Sequence, residues 1–238
     1  MRYLLITSYD GENYNGFQKQ NNKNTIQDKI ENALEIVLKS KINTVASGRT
    51  DAKVSAYMQP IHFDYDSVIN KEKLQYSLNG ILPEDIRVLS ISEINFHARF
   101  DAKKKTYLYQ MYLSNVKMPL MKNSLQLSPL IDIKLMKKFC KLLKGEHDFV
   151  GFKASGSDTE SSTRTIYKAK LKRVGNQLNF YITGNGFLYK MVRNIVGTMI
   201  KVGEHKIDYS FLKKSIFKTY KSIHTAPPEN LFLLNVEY

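Results

Sequence analysis

Segments with the two-residue periodicity of β-strands alternate along this chain with segments that have the periodicity of amphipathic helices. The alternation runs through both halves, and the second half adds a hairpin signal at Gly175-Asn176. Hydrophobic residues make up 42% of the 238 residues, which is sufficient for a packed core in one large domain or two small ones. This organisation favours an α+β or mixed α/β fold in which helices cover a sheet.

Element boundaries follow from periodicity, turn residues and helix caps. Strands are expected near residues 2–9, 42–46, 61–65, 86–94, 105–113, 164–174, 177–183 and 231–238. Helices are expected near residues 26–38, 70–82, 132–145, 187–202 and 209–217, with Thr25 and Asp132 as N-caps and Gly145 as a terminator.

The chain carries 36 Lys and Arg residues against 22 Asp and Glu residues, a formal net charge of +14. A charge of this size favours a polyanionic partner, above all nucleic acid, although a generally basic soluble protein would have the same balance. The arginines are only seven: Arg2, Arg49, Arg87, Arg99, Arg164, Arg173 and Arg193. Because a planar guanidinium can bind carboxylate or phosphate through two N–H groups, an arginine in so lysine-rich a chain indicates a position where a point charge would not suffice.

Cysteine, histidine and hydropathy exclude several classes of site. Cys140 is the only cysteine, so neither an internal disulfide nor a cysteine-based zinc site can form, and its spacing from Met136, Phe139 and Leu143 predicts a buried thiol on a helix face. The five histidines have no ligand spacing, so no metal site is expected. No run of about 18 apolar residues exists, and the N-terminal segment becomes polar too soon for a signal peptide. We therefore expect a cytoplasmic protein without a membrane span.

The segment Ser47–Ala52, with the sequence SGRTDA, lies between two extended apolar stretches and has no large apolar residue of its own. An aspartate in such a turn is usually a cap or an Asx-turn residue, and that interpretation of Asp51 stays open on these residues alone. Arg49 favours a catalytic interpretation, because a carboxylate that must stay ionised beside an anionic substrate needs a cationic neighbour.

Two further candidates come from the second half. Arg193 lies in a predicted helix that is otherwise largely hydrophobic, so it is either partly buried opposite an acidic residue or placed on a polar face beside Lys190. Tyr107 and Tyr109 alternate on a strand that follows three lysines. This combination of aromatic and basic residues suits RNA contact, but it also occurs in ordinary strands with solvated lysines.

These segments occur in an order that resembles the tRNA pseudouridine synthase A family over nearly the whole chain. The resemblance rests on Tyr9-Asp10-Gly11, Gly16-Phe17-Gln18-Lys19-Gln20, Thr25-Ile26-Gln27, Gly48-Arg49-Thr50-Asp51-Ala52, Leu78-Asn79, Leu82-Pro83, Asp85-Ile86, Phe96-His97-Ala98-Arg99-Phe100-Asp101-Ala102, Tyr107-x-Tyr109, Gly145-x-His147-Asp148-Phe149, Arg164-Thr165-Ile166, Met191-Val192-Arg193-Asn194-Ile195-Val196-Gly197 and Ala226-Pro227-Pro228. Each match is short, but their common order makes the resemblance specific.

The resemblance implies an isomerase that converts uridine to pseudouridine at positions 38, 39 and 40 in the anticodon stem-loop of tRNA, without a cofactor or a metal. Asp51 matches the catalytic aspartate, which acts as a nucleophile, or as a base in the glycal version of the mechanism. Tyr107 matches the tyrosine that stacks on the target base, and Arg193 matches the basic residue that pairs with the aspartate. Arg49 matches the signature arginine that holds the RNA. The target nucleotide must leave the stack, because C1′ and the base are inaccessible in a stacked helix.

The family fold implies two ferredoxin-like halves, residues 1–102 with the catalytic loop and residues 103–238. The halves are expected to share one largely antiparallel sheet flanked by helices, with the active-site cleft between them. The resemblance also implies a homodimer whose subunits share one tRNA.

Three positions depart from the family pattern. Lys53 and Ser55 stand where glycine and histidine are usual, and Asn230 stands where a glycine is common. If the usual glycine has a positive φ, Lys53 strains the loop, and it also places a second cation near Asp51. We therefore include Lys53 among the expected substrate-binding residues.

Two other functions compete with this interpretation. A non-catalytic RNA-binding or RNA-folding protein would keep the scaffold and the charge without the chemistry, and the replacements at Lys53 and Ser55 support it. A ribonuclease is disfavoured, because the sequence contains no histidine pair or carboxylate cluster.

Overall fold

The computed structural model describes residues 1–21, 23–156 and 161–238. The chain forms two compact units, Met1–Lys103 with Phe232–Tyr238, and Lys104–Leu231. The sequence placed the last strand in the second half. In the structure this last strand belongs to the first unit, because it pairs in parallel with a strand of that unit and Phe232 lies opposite Ser55.

The described residues form ten β-strands and five α-helices. The strands are β1 (Arg2–Tyr9), β2 (Val45–Ala46), β3 (Ser55–Asp64), β4 (Ile86–Ile94), β5 (Lys104–Leu113), β6 (Leu125–Leu127), β7 (Gly145–Asp148), β8 (Thr163–Val174), β9 (Gln177–Gly184) and β10 (Leu231–Glu237). The helices are α1 (Ile26–Leu38), α2 (Lys71–Ile81), α3 (Ile133–Leu142), α4 (Met191–Gly203) and α5 (Tyr209–Ser215). None of these helices is long and apolar enough to cross a membrane.

In the first unit the strand order is β4-β1-β3-β10, and β2 pairs with the outer part of β3. β1 is antiparallel to both β3 and β4, whereas β10 is parallel to β3. The odd-numbered residues of β1 are almost completely buried because they share one face of the sheet with Ile61 and Phe63. Helices α1 and α2 contact each other, and their apolar residues Ile30, Leu34 and Leu74 complete the buried core.

In the second unit β5, β9, β8 and β7 are antiparallel neighbours in that order, and β6 lies parallel to β5. Helix α3 packs against α4 and against β8. The Cys140 Sγ lies 3.5 Å from the Met199 Sδ in this core, and burial raises the pKa of the Cys140 thiol to about 12. The prediction of a buried, unreactive thiol is therefore confirmed, as is that of a mixed α/β fold with largely antiparallel strands flanked by helices.

Most predicted elements are confirmed to within two residues at each end, and Thr25 and Asp132 cap their helices through side-chain hydrogen bonds as predicted. Two helix ends were wrong. Helix α3 ends at Leu142, because Gly145 is the first residue of the unpredicted strand β7. Helix α4 begins at Met191 instead of Phe187, because Lys190 has a left-handed backbone with φ 56°.

The second extended stretch also differs from its predicted range. β3 begins at Ser55, six residues before the predicted start at Ile61, whereas β2 is reduced to Val45–Ala46. The sequence obscured the start of β3 because Tyr57 and Met58 are exposed apolar residues and therefore break the alternation of buried and exposed positions. The longer β3 brings the strand directly up to the loop that contains Asp51.

His62 is a buried histidine on the opposite face of β3 from Ile61 and Phe63. It is 3% exposed, its Nδ1 accepts a 3.2 Å hydrogen bond from the Ala98 N–H, and its ring centre lies 4.6 Å from that of His97. Burial lowers the pKa of His62 to about 4, and the positive charges of Arg2 and His97 act in the same direction. The residue is therefore neutral in the folded protein at pH 7.

We expect His62 to make the fold sensitive to acid. Its pKa is about 4 in the folded state against 6.5 for an ordinary histidine, so protonation favours the unfolded state as the pH falls below about 6.5. Between about pH 7.5 and about pH 5, this group alone should lower the free energy of unfolding by about 2 kcal/mol. Urea unfolding at both pH values should show a smaller loss for His62→Gln than for the wild type. His224→Gln replaces a half-buried histidine of the second unit and should retain the wild-type pH dependence. An equally steep loss in His62→Gln would contradict the assignment.

Candidate active site

Asp51 lies on a loop, residues 47–54, that connects β2 to β3 in the first unit. Two main-chain positions at the start of this loop are tied to β3. The Ser47 N–H donates to the Pro60 carbonyl at 2.9 Å, and the buried Gln59 side chain donates to the Gly48 carbonyl at 2.6 Å. The loop therefore leaves the sheet in a fixed direction.

A second loop, residues 10–20, holds the middle of the Asp51 loop. The Phe17 N–H donates to the Thr50 carbonyl at 3.1 Å, and the Lys53 N–H donates to the Tyr14 carbonyl at 3.2 Å. The hydroxyl groups of Tyr9 and Thr50 lie 2.8 Å apart in a buried hydrogen bond. These contacts fix the main chain on both sides of Asp51.

Gly16 allows the two loops to approach this closely. Its φ is +95°, and a Cβ at this position would lie 3.0 Å from the Thr50 carbonyl oxygen and 3.1 Å from the Ala52 nitrogen. Both neighbours are backbone atoms, which cannot move aside as a flexible side chain could. Glycine is therefore required here both for its backbone conformation and for its lack of a side chain.

Gln27 of helix α1 anchors the far end of the second loop. Its Oε1 accepts hydrogen bonds from the Gln18 side chain at 2.8 Å and from the Lys19 N–H at 3.0 Å. Its Nε2 donates to Glu31 and to the Thr44 carbonyl, both at 3.0 Å. One buried side chain thus joins the helix, the second loop and the segment that leads into β2.

The side chains of the Asp51 loop reach the surface although its main chain is fixed. Asp51 is half-buried, whereas Arg49, Ala52 and Lys53 are exposed. Asp51, Arg49 and Lys53 are thus brought together on one loop of the first unit. Tyr107 and Arg193 belong to the second unit.

Two of the three departures from the family pattern, Lys53 and Ser55, lie in or beside the Asp51 loop and have different structural consequences. Lys53 has φ +64°, so the condition under which Lys53 was expected to strain the loop is met. Ser55 is buried, its hydroxyl accepts a 3.0 Å hydrogen bond from the Gly11 N–H, and it also lies 3.4 Å from an Asp10 carboxylate oxygen. Ser55 therefore contributes to the packing of the two loops.

Tyr107 and Tyr109 of β5 are both buried, but to different degrees. Tyr109 is completely buried and donates a 2.9 Å hydrogen bond to the Pro227 carbonyl, and its burial raises its pKa. Tyr107 is 9% exposed, and its ring meets the Phe187 ring edge-on with 5.2 Å between centres. Tyr107 is thus the one with some remaining exposure, and Phe187, predicted as a helical residue, positions its ring.

Arg193 lies in the first turn of α4 and is half-buried. Its Nε donates a 2.8 Å hydrogen bond to the Ala226 carbonyl, and the Ala226 N–H donates to the Arg193 carbonyl at 3.1 Å. The sequence could not predict this reciprocal pair because the two residues are 33 positions apart. Gly16, Gln59 and Phe187 were missed as site-forming residues for the same reason, although the first lies in a segment that the family resemblance includes.

The sequence profile described as "tRNA pseudouridine synthase" matches residues 5–101 and 139–238 of this chain. The chain belongs to this family. The matched ranges contain the loop of Asp51 and the first turn of α4. Of the five site residues expected from the sequence, the matched ranges include Arg49, Asp51, Lys53 and Arg193, whereas Tyr107 lies outside them.

Relatives that this chain matches over nearly their whole length carry names from the same family of enzymes. The chain is 40% identical to a protein named tRNA pseudouridine synthase A of Thermoanaerobacter sp. (strain X514), over 99% of this chain and 98% of that protein. It is 40% identical to tRNA pseudouridine synthase A 1 of Protochlamydia amoebophila, over 99% and 96% of the two chains. It is 39% identical to tRNA pseudouridine synthase A of Streptococcus agalactiae serotype Ia, over 100% and 95% of the two chains. The chain is thus related to tRNA-modifying isomerases along its whole length.

Replacing Gly16 should test whether the loop contact matters for activity. Gly16→Ala and Gly175→Ala both place alanine at a positive φ, and each should cost about 1 kcal/mol of stability. A Cβ on Gly175 meets nothing within 4 Å, so only Gly16→Ala should displace Asp51. We expect pseudouridine formation on tRNA to fall on the order of 100-fold for Gly16→Ala and to change little for Gly175→Ala. Equal activities in the two variants would show that the contact does not position the site.

Replacing Lys53 should separate its backbone strain from its charge. Lys53→Gly relieves the left-handed conformation and should raise the free energy of unfolding by about 1 kcal/mol relative to Lys53→Ala. Lys39, with φ 52° at the end of α1, offers a matched control, since Lys39→Gly relieves similar strain away from Asp51. Both Lys53 variants should bind tRNA more weakly than the wild type, while Lys39→Gly should not. Denaturant unfolding and tRNA titration measure the two effects, and equal stabilities of Lys53→Gly and Lys53→Ala would refute the strain.

Proposed function

We propose that this chain converts uridine to pseudouridine at positions 38, 39 and 40 in the anticodon stem-loop of tRNA, with Asp51 as the nucleophile. The observation that carries the proposal is the setting of Asp51. The main chain of its loop accepts a hydrogen bond from the Phe17 N–H and donates one to the Tyr14 carbonyl. Asp51 itself is only half-buried. A turn aspartate whose only role is to cap its own loop would not require a second loop to hold it.

The proposed reaction rearranges one nucleotide and consumes no other reactant. The Asp51 carboxylate attacks C1′ of the ribose as the bond between C1′ and N1 of the uracil breaks. The uracil turns while it is still bound, C5 then bonds to C1′, and Asp51 leaves as a carboxylate again. The proton on C5 is lost and N1 gains one, so the atoms balance. In the alternative glycal route Asp51 takes a proton from the ribose instead of attacking C1′.

A fixed main chain suits this chemistry. The nucleophile must reach C1′ of a nucleotide that has left the helical stack, and small displacements of a reacting group cost large factors in rate. On one side, the Ser47 N–H donates to the Pro60 carbonyl of β3, and the Gln59 side chain of β3 donates to the Gly48 carbonyl. The contact with Gly16 fixes the main chain on the other side.

Arg49 is assigned to the RNA because the other arginines are already engaged with protein groups. Hydrogen bonds to protein oxygens are made by Arg2, Arg87, Arg164, Arg173 and Arg193, and Arg99 lies over the Phe100 ring. Within the described part of the chain, Arg49 is the arginine that forms no hydrogen bond, ion pair or ring contact, and it is exposed. A guanidinium in this state, two residues from Asp51, suits bidentate contact with a phosphate of the flipped nucleotide.

Lys53 adds a second cation to the same loop. Lys53 is exposed and follows Asp51 by two residues in the sequence, whereas Arg49 precedes Asp51 by two residues. We assign it to phosphate contact as well. Lysine acts there as a point charge, so it contributes to affinity more than to the orientation of the nucleotide.

The second unit contributes Tyr107 and Arg193 to the proposal. We assign Tyr107 to stacking on the target base, supported by its fixed ring and its remaining exposure. We assign Arg193 to pairing with the Asp51 carboxylate, supported by its half-buried position and the hydrogen bond that orients its Nε. Neither assignment requires a cofactor or a metal. We further expect a cytoplasmic homodimer that acts on tRNA.

A non-catalytic RNA-binding protein is the second candidate. Its support in the sequence was the loss of the usual residues at positions 53 and 55. Ser55 gives this candidate little support, because it is buried and its hydroxyl accepts a hydrogen bond from the Gly11 N–H. The remaining difference, Lys53, adds a positive charge and leaves Asp51 in place.

Asp51→Asn should separate the two candidates. Asparagine has nearly the same shape but cannot act as a nucleophile, so pseudouridine formation should fall by at least a factor of about 1,000. Binding of unmodified tRNA should be at least as tight as in the wild type, because the substitution removes a negative charge near phosphate. Tritium release from labelled tRNA and a direct tRNA titration measure the two quantities.

Asp66→Asn provides the matched control, since Asp66 is an exposed aspartate just after β3 in the same unit. It should retain wild-type activity. The nucleophile assignment is wrong if Asp51→Asn still produces pseudouridine at the wild-type rate. If the wild type itself binds tRNA but releases no tritium, the non-catalytic candidate is correct.

A further inference from the structure

Three lysines form a row on one face of the second unit. Lys168, Lys170 and Lys172 alternate along β8 and lie opposite Thr183, Tyr181 and Asn179 of β9. The intervening residues point to the other face, where Leu171 and its partner Phe180 are buried in the core. The three lysines, called the lysine strip below, are all exposed.

The lysine strip is not neutralised by the protein. Among the described residues, none of its members forms an ion pair. Strands β5, β8 and β9 contain seven basic residues and no Asp or Glu. Acidic residues occur on the neighbouring β7, but Glu146 and Asp148 lie opposite Thr165 and Thr163, at the other end of β8.

Aromatic rings beside the strip hold two ammonium groups near the sheet. The Lys172 Nζ lies 5.3 Å from the centre of the Tyr181 ring, and the Lys104 Nζ lies 5.9 Å from that of the exposed Tyr167. Such contacts restrict the long lysine side chains without cancelling their charge. A restricted cation loses less entropy when it binds an anion.

We propose that the lysine strip binds the sugar-phosphate backbone of the substrate tRNA, an inference that rests on the proposed function. Alternate residues of a strand are about 6.5 Å apart, a spacing comparable to that between successive phosphates of one RNA strand. Polar groups continue the same face beyond the lysines, among them the hydroxyl groups of Thr106 and Thr183, which lie 2.9 Å apart. Such groups suit ribose hydroxyls, whereas Tyr181 is only half-exposed and provides no open surface for a base.

The strip is expected to contact tRNA away from the reacting nucleotide. Tyr107 pairs with Ile182, and the position opposite Ile182 on β8 is Ala169. Tyr107 therefore points to the opposite face of the sheet from the lysine strip. Loss of the strip should weaken binding and leave the chemical step unchanged.

The competing explanation is protection of a sheet edge. β7 pairs with β8 only as far as Ile166, and lysines on an exposed strand edge commonly prevent association with other strands. That role predicts effects on solubility or oligomeric state and none on tRNA affinity. The two explanations can therefore be separated by experiment.

The test is the triple variant Lys168→Gln/Lys170→Gln/Lys172→Gln in the full chain. Its control is Lys134→Gln/Lys137→Gln/Lys141→Gln, which removes the same charge from exposed lysines of α3. Binding of unmodified tRNA is measured by fluorescence anisotropy at several salt concentrations, so the result does not depend on product formation. Single-turnover rates at saturating tRNA and sedimentation velocity are measured on the same proteins.

For the strip variant we expect Kd to rise about tenfold or more and the slope of log K against log salt to decrease by about 2 to 3. The control should bind as the wild type, and both variants should retain the wild-type single-turnover rate. Unchanged affinity of the strip variant, or an equal loss in the control, would overturn the proposal. So would a change of oligomeric state in the strip variant alone, which would identify an interface between copies. A wild type that binds tRNA through the strip but forms no pseudouridine would refute the proposed function alone.

Discussion

The approach of two backbones at Gly16 is the constraint on which the candidate site of the first unit depends. The carbonyl of Thr50 and the nitrogen of Ala52 lie where the side chain of any other residue at position 16 would begin. Because no side chain intervenes, the Phe17 N–H reaches the Thr50 carbonyl directly. The contact accounts for a combination that a surface loop rarely has, a fixed main chain with an accessible carboxylate. Main-chain hydrogen bonds and the packing of the second loop therefore stabilise the Asp51 loop, and the side chains of Arg49 and Lys53 stay exposed.

Local features of the chain were predictable and long-range ones were not. The caps of α1 and α3 were predicted because a capping side chain and the backbone N–H that donates to it are three residues apart. The shared loop of Asp51, Arg49 and Lys53 was predictable for the same reason. The role of Gln59 was not, because it depends on the register of β3 against the loop. The start of α4 was also mispredicted, since Phe187 is apolar enough for a helix but its ring instead packs against Tyr107.

The second unit fixes its candidate residues through one short segment of main chain. The carbonyl of Ala226 accepts from Arg193 and that of the next residue, Pro227, accepts from Tyr109. Consecutive carbonyls thus connect the first turn of α4 to β5, two residues from Tyr107. Proline suits this segment, because it has no N–H that would need a partner and its φ is restricted. Side chains that sequence analysis treats as separate candidates therefore depend on the same support.

Backbone strain alone does not indicate the function of Lys53. Among the described residues, the four non-glycine residues with positive φ include Lys39 and Lys190 as well, so this lysine-rich chain with 12 glycines also places lysine in left-handed positions elsewhere. The strain costs about 1 kcal/mol at each, and at Lys39 no reactive group lies nearby in sequence to benefit from the charge. Lys53 differs in one respect, its position two residues after Asp51 on a loop whose main chain cannot shift to relieve the strain. Under the proposed function, a cation held there would raise the local concentration of phosphate near Asp51, whereas a cation at Lys39 would not.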